Sequence, residues 1–120
     1  MVLVDTSVWI QHLRHGSKAL ARRLNDGQVV CHPFVVGELA CGCLRNREEI
    51  LALLSNLPCA EAAGHKEVLQ FIDSYRLMGK GMGYIDIHLL ASATLTGVPI
   101  WTLDKRLKET ALRLNLSYAE

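Results

Sequence analysis

The chain has no surplus of either charge, no long apolar run and few prolines. Thirteen Lys and Arg against twelve Asp and Glu leave a formal charge of +1 over 120 residues, so no global basic field advertises a polyanion as partner. Any polyanion would have to be held by a local patch or by metal ions. The apolar runs are too short for a bilayer span, and Asp5 interrupts the first of them with no basic stretch ahead of it, which argues against a signal peptide. With three prolines, no repeat and no Pro/Gly-rich linker, nothing splits the sequence, and residues 1–120 are expected to form one domain. The four cysteines, Cys31, Cys41, Cys43 and Cys59, sit in apolar contexts without a disulfide-like framework. They read as packing cysteines of a cytoplasmic protein.

What is present is apolar and periodic. Half the residues are hydrophobic, enough for a single core. Residues 2–5, 29–31 and 98–103 read as short, non-alternating apolar strands, with a weaker one over 59–63. Helices are expected from Ser7, as cap, to about His15, then to about Asn25 behind Ser17, and over Phe34 to about Leu44 behind Pro33. Further helices follow over Arg47–Leu57, Lys66–Met78, Tyr84–Thr96 and Lys105–Leu114. Arg47–Leu57 sets Ile50, Leu53, Leu54 and Leu57 on one face. Strands alternating with helices predict an α/β fold, a parallel sheet covered on both faces. In such sheets chemistry gathers beyond the C-terminal ends of the strands.

Two strands end there in a carboxylate. MVLVD delivers Asp5, followed by Thr6 and Ser7, and PIWTLD delivers Asp104, with Thr102 two residues earlier. Glu38 is stranger: its helical neighbours Phe34, Val35, Cys41 and Gly42 are all apolar or small, so the carboxylate is expected to point from a packed face. Gly37 and Gly42 weaken that helix by about 1 kcal/mol each against Ala, which suggests that something packs close to it. Asp86 opens a helix that is apolar nearly all round and is expected to be drawn inward. Simpler roles stay open: Asp104 and Asp5 as helix caps, Asp86 as an acid complementing the helix dipole. Four acids at apolar positions nonetheless repel one another unless cations neutralise them. Such oxygen ligands suit Mg²⁺ or Mn²⁺, and together they point to metal-assisted phosphodiester hydrolysis.

In order along the chain, VDTSVWI, GELA, YIDIHLLASA and PIWTLDKRL resemble the motifs of PIN-domain ribonucleases, most closely the VapC-type toxins of prokaryotic type II toxin–antitoxin pairs. The resemblance runs from Asp5 to about Leu107. It implies a three-layer α/β/α sandwich with a short parallel sheet in strand order 3-2-1-4-5. It also implies a metal-dependent endoribonuclease in which Asp5, Glu38, Asp86 and Asp104 take the places of the catalytic acids and Thr102 that of the hydroxyl in T-x-D. On that pattern Asp5, Asp86 and Asp104 would hold one or two Mg²⁺ (or Mn²⁺) ions, and Glu38 would orient or deprotonate the attacking water. RNA would be left with 5′-phosphate and 3′-hydroxyl ends. A homodimer and a cognate antitoxin are the implied partners. Leu107 departs from the pattern, since many members carry an aromatic there, and His88 is an unusual polar residue for its helix.

Around these acids, Thr6 and Thr102 are candidates to orient carboxylates. Arg14, Lys18, Arg45, Lys105 and Arg106 are candidates for RNA phosphate contacts, against the plainer reading of solvated surface charge. Cys41-x-Cys43 is not a zinc spacing, because two residues apart on a helix the side chains diverge. His12, His15 and His65 read as surface residues, His88 as a satisfied core or edge histidine, and Trp9 and Trp101 as core anchors. A haloacid-dehalogenase-type phosphatase would need an acid where Ser7 stands, and a receiver domain would want a lysine where Asp104 stands. The remaining alternative is a catalytically silent PIN-type module that binds RNA or an antitoxin.

Overall fold

A computed structural model describes residues 1–119. Strand β1 (Val2–Val4) lies between β2 (Val29–Val30) and β3 (Ile100–Trp101), parallel to both. Beyond β2, Cys31 makes one parallel bridge to Cys59, and beyond β3, Ile100 makes one to Ser117. The order across the sheet is therefore the expected 3-2-1-4-5, with both outer positions shrunk to single bridges. Every residue of the three strands is buried. Because successive side chains point to opposite faces, both faces must be covered, which gives the three-layer α/β/α arrangement.

Among the described residues seven helices do the covering: α1 (Thr6–His15), α2 (Lys18–Asn25), α3 (Pro33–Ala40), α4 (Arg47–Ser55), α5 (His65–Tyr75), α6 (Tyr84–Thr96) and α7 (Lys105–Arg113). Trp9, Leu20, Leu89, Leu90 and Leu107 are fully buried in the core between these layers. None of the helices in the described residues is long and apolar enough to cross a membrane.

Three local expectations need correction. Ser7 is not the cap of α1: the helix starts at Thr6, Asp5 holds the cap position, and the Ser7 hydroxyl turns to Asp5 instead. Helix α3 stops at Ala40, not Leu44, so Cys41 and Cys43 lie in the turn after it, exposed, rather than on diverging helical positions. Cys59 is also exposed, leaving Cys31 as the buried cysteine. Nothing crowds Gly37, where an added Cβ would meet no atom within 4 Å, or Gly42, where it would meet only the Leu39 carbonyl at 3.6 Å. Elsewhere Ser17 caps α2, accepting from the Leu20 amide, and Pro33 occupies the first turn of α3. On α4 Leu54 is buried and Ile50 and Leu57 pack beside it, while Leu53 is exposed.

Candidate active site

Parallel pairing of β1 with β3 carries Asp5 past the sheet's C-terminal edge, its amide donating to the Trp101 carbonyl at 2.9 Å. One residue past that partner, the Thr102 hydroxyl donates to Asp5 Oδ2 at 2.7 Å, and Ser7 Oγ donates to the same oxygen at 2.7 Å. Each hydroxyl also accepts from the β3–α7 connection: Thr102 Oγ1 from the Asp104 amide at 3.0 Å, Ser7 Oγ from the Leu103 amide at 3.0 Å. Asp5 is thus buried, yet oriented by neutral donors.

The other three acids arrive from helices, two at N-termini and one near a C-terminus. Asp104 caps α7, its Oδ1 accepting from the Leu107 amide at 3.0 Å. Asp86 sits at the third position of α6 and accepts from the Gly83 amide at 3.3 Å through Oδ2. Glu38 lies on α3 and accepts from Thr6 Oγ1 at 2.7 Å through Oε1. The expectation of a Glu38 packed into an apolar face fails: the side chain is exposed. Helix α3 ends too early for Cys41 and Gly42 to cover it, and Phe34, one turn back, is itself 38% exposed.

Across the four, each carboxylate gives one oxygen to a hydroxyl or backbone N–H and leaves its second outside these hydrogen bonds. Among the described residues no lysine or arginine hydrogen-bonds to them. The Asp86 carboxyl is raised above the usual range, first by burial and then by the charges of Asp5, Asp104 and Glu38, against the lowering effect of the Gly83 amide. Asp86 is thus the acid on which the charges of the other three converge.

A PIN-domain family model matches residues 2–112. The chain belongs to the PIN-domain family. It is similar to "Ribonuclease VapC32" of Mycobacterium tuberculosis, in strain CDC 1551 / Oshkosh and in strain ATCC 25618 / H37Rv. Each relative is 44% identical over 121 aligned residues, covering all of this chain and 98% of its own length.

Whether the acids of this PIN domain fit a metal is a question of donor chemistry. Among the described residues no three Asp, Glu, His or Cys side chains close round an ion by themselves. The uncommitted oxygens instead suit a hard cation that keeps much of its water and takes only one or two carboxylates, which is the habit of Mg²⁺. The donor set fits such an ion.

Of the basic candidates, Arg14 and Arg45 are brought together with Glu38 along a groove of about 590 Å³ between α1, α3 and α4. Lys18 and Lys105 are exposed with no such placement. Arg106 Nη1 donates to the Gly81 carbonyl at 3.3 Å, tying down the glycine loop ahead of α6.

Two residues escaped the sequence reading. Ser7 was expected as a cap and, with Thr6, as a match to the family's small hydroxyl residues after the first Asp, but not as the bridge it forms between Asp5 and the β3–α7 connection; its place two residues after the strand-end acid was the available signal. His32 is wholly buried at the start of α3, with Nδ1 accepting from the Phe34 amide at 3.0 Å and Nε2 2.9 Å from Ser92 Oγ. Since Nδ1 accepts, Nε2 carries the proton and donates. Burial, helped by nearby His88, pushes the His32 imidazole down to about 4. His88 corrects another expectation: it is buried, but its Nδ1 has no hydrogen-bond partner among the described residues. Of the histidines read as surface residues, His15 and His65 are exposed, whereas His12 is half-buried and its Nδ1 accepts from the Ser17 amide at 2.9 Å.

Proposed function

We propose that this PIN domain is a Mg²⁺- or Mn²⁺-dependent endoribonuclease acting as the toxin of a type II toxin–antitoxin pair. The observation that carries the reading is the set of four carboxylates at the C-terminal sheet edge, each with one oxygen uncommitted and none paired with a cation. The ribonuclease name of relatives 44% identical over the full chain supports RNA as the substrate.

Asp5, Asp86 and Asp104 would hold one or two ions, and a divalent metal there supplies Lewis acidity and a water of lowered pKa. The remaining work belongs to the chain. Thr102 and Ser7 fix the rotamer of Asp5, and the α7 N-terminus fixes that of Asp104. Glu38, exposed and held by Thr6, is placed to accept the proton of the attacking water, which displaces the 3′ oxygen from phosphorus in line. Arg14 and Arg45, flanking Glu38, would receive the RNA backbone. Exposed Leu69, Tyr75 and Leu95 on α5 and α6 support a further protein surface, consistent with a homodimer and an antitoxin partner in the cytoplasm.

The test is cleavage of RNA by purified protein with Mg²⁺ or Mn²⁺, with EDTA, and by an Asp86→Ala variant prepared identically. Loss of cleavage in both controls supports the reading. Equal cleavage by the variant overturns the site, and no cleavage by any sample across many RNAs favours the silent binding module.

A further inference from the structure

Beside the acids, at the same edge of the sheet, runs a row of rings that the hydrolytic reading does not use. Phe34 opens α3 and Tyr84 opens α6, and both are unusually open to solvent for their type, at 38% and 42% exposure. Between them stands the buried ring of His88, with centroids 4.7 Å from Phe34 at 71° and 4.6 Å from Tyr84 at 85°. His32 backs Phe34 at 5.3 Å, and His65 Nδ1 lies 2.6 Å from the Tyr84 hydroxyl. Each exposed ring is thus braced by an edge contact that leaves π surface to solvent, and Tyr84 is further pinned through its hydroxyl. The His88 imidazole beneath them has a buried nitrogen, Nδ1, with no hydrogen-bond partner among the described residues, and a hydrogen bond there is costly to leave unmade.

We propose that Phe34 and Tyr84 form a stacking site for an unpaired RNA base adjoining the scissile phosphate. The inference rests on the ribonuclease reading and adds to it a requirement for single-stranded RNA at that step. Phe34 and Glu38 are four residues apart on one helix face, a rise of about 6 Å, the scale of one nucleotide. A phosphate at the carboxylates therefore brings a neighbouring base to the rings. The braced rings carry no charge of their own, so they favour a flat uncharged surface over a phosphate. Pre-braced rings also lose little entropy on binding. Stacking of this kind tolerates any base, so it selects for an unstacked strand more than for a sequence.

The experiment uses a ten-nucleotide single-stranded oligoribonucleotide carrying 2-aminopurine, whose fluorescence is quenched by stacking. It is titrated with the full chain in Ca²⁺, an oxygen-seeking ion less demanding of octahedral geometry than Mg²⁺. Wild type is expected to quench it, and to bind the same sequence as a duplex more weakly. Phe34→Leu and Tyr84→Leu should each weaken binding about tenfold and raise KM for RNA cleavage more than they lower kcat. Phe34→Trp and Tyr84→Phe, which keep a ring, should retain the quench, and matching circular dichroism spectra report that each variant is folded. Wild-type affinity in both leucine variants, or no quench by wild type, overturns the stacking site and leaves the rings to another role. Quenching without cleavage under Mg²⁺ would keep base binding and sink the hydrolytic reading, whereas cleavage with unaltered binding by the leucine variants would do the reverse.

Discussion

Thr102 Oγ1 donates to Asp5 Oδ2 at 2.7 Å and accepts from the Asp104 amide at 3.0 Å, so one hydroxyl couples the two strand-end acids. Thr102 is buried, and Val would match its shape while removing both bonds. Thr102→Val is expected to destabilise the fold by about 1–3 kcal/mol, because the Asp104 amide and the Asp5 carboxylate each lose a partner. RNA cleavage should fall roughly 10- to 100-fold, the usual cost of losing a hydrogen bond that orients a ligand. Thr102→Ser keeps the hydroxyl and should recover most of the activity. Urea denaturation and initial cleavage rates of the three proteins decide it; a valine variant as active as wild type would remove Thr102 from the site.

Asp86 separates stability from function. Burial and three neighbouring acids disfavour its charge, with only the Gly83 amide opposing them. Asparagine removes the charge and keeps an oxygen for that amide. Without divalent metal, Asp86→Asn is expected to raise stability by about 0.5–2 kcal/mol, and it should abolish cleavage. Mg²⁺ should narrow the gap by stabilising wild type more than the variant, since a ligand that binds only the native state adds to its stability. Thermal melts with EDTA and with Mg²⁺ measure the two stability outcomes, and an RNA cleavage assay measures the third. A variant less stable than wild type in EDTA would show that Asp86 is not under electrostatic strain.

That the sheet is parallel and where α6 begins and ends were legible in the sequence, because short apolar strands alternate with helices and α6 has no polar face, whereas the strand order came from the family resemblance. The strand ends were less so: β3 covers only Ile100 and Trp101 of the apolar run 98–103, since Pro99 before it has no N–H to donate to the ladder and its partner β1 gives way to α1 at Thr6. The bonds joining Asp5 to Thr102 and Ser7 depend on strand register, which spacing along the chain does not contain. Glu38 misled because apolar neighbours imply a packed face only if the helix continues, and α3 ends two residues after it. His32 was invisible for a related reason. Its partner Ser92 is 60 positions away, and nothing local marks either residue as buried.

His32 predicts the acid limb of stability. The buried imidazole is pushed down to about 4 from an ordinary 6.5, so between those values the unfolded chain binds the proton and the folded chain does not. Stability then rises with pH across this window. It is fully present above about 6.5 and is lost as pH falls toward 4, by up to about 3 kcal/mol at 1.36 kcal/mol per pKa unit. Asp86 works in the opposite sense at pH above its ordinary 3.8, because its raised folded-state pKa lets the folded chain keep a proton that the unfolded chain has lost. Urea midpoints from pH 7.5 to 4.5 test the slope. His32→Gln, which offers hydrogen-bonding atoms but no titration, should start less stable and lose less across the window. An equal slope in the variant would assign the acid sensitivity elsewhere.

Gly81 and Arg106 form the last coupled pair. Gly81 has φ +79°, and a Cβ there would stand 2.5 Å from Arg106 Nη1, whose guanidinium donates to the Gly81 carbonyl. Left-handed backbone costs a side chain about 1–2 kcal/mol, and the methyl group would also push the arginine out of its contact. Gly81→Ala is therefore expected to destabilise by about 1–2 kcal/mol and to slow cleavage, because the loop leads through Gly83 to Asp86. Arg106→Ala should cost less than about 1 kcal/mol, the net worth of an exposed hydrogen bond. In the double variant the steric part of the penalty disappears while the backbone strain stays, so the combined loss should be smaller than the sum of the single losses. A double-mutant cycle on unfolding free energy measures that difference. Strict additivity would mean that Arg106 does not anchor the loop, and would return it to the pool of free cations available to RNA.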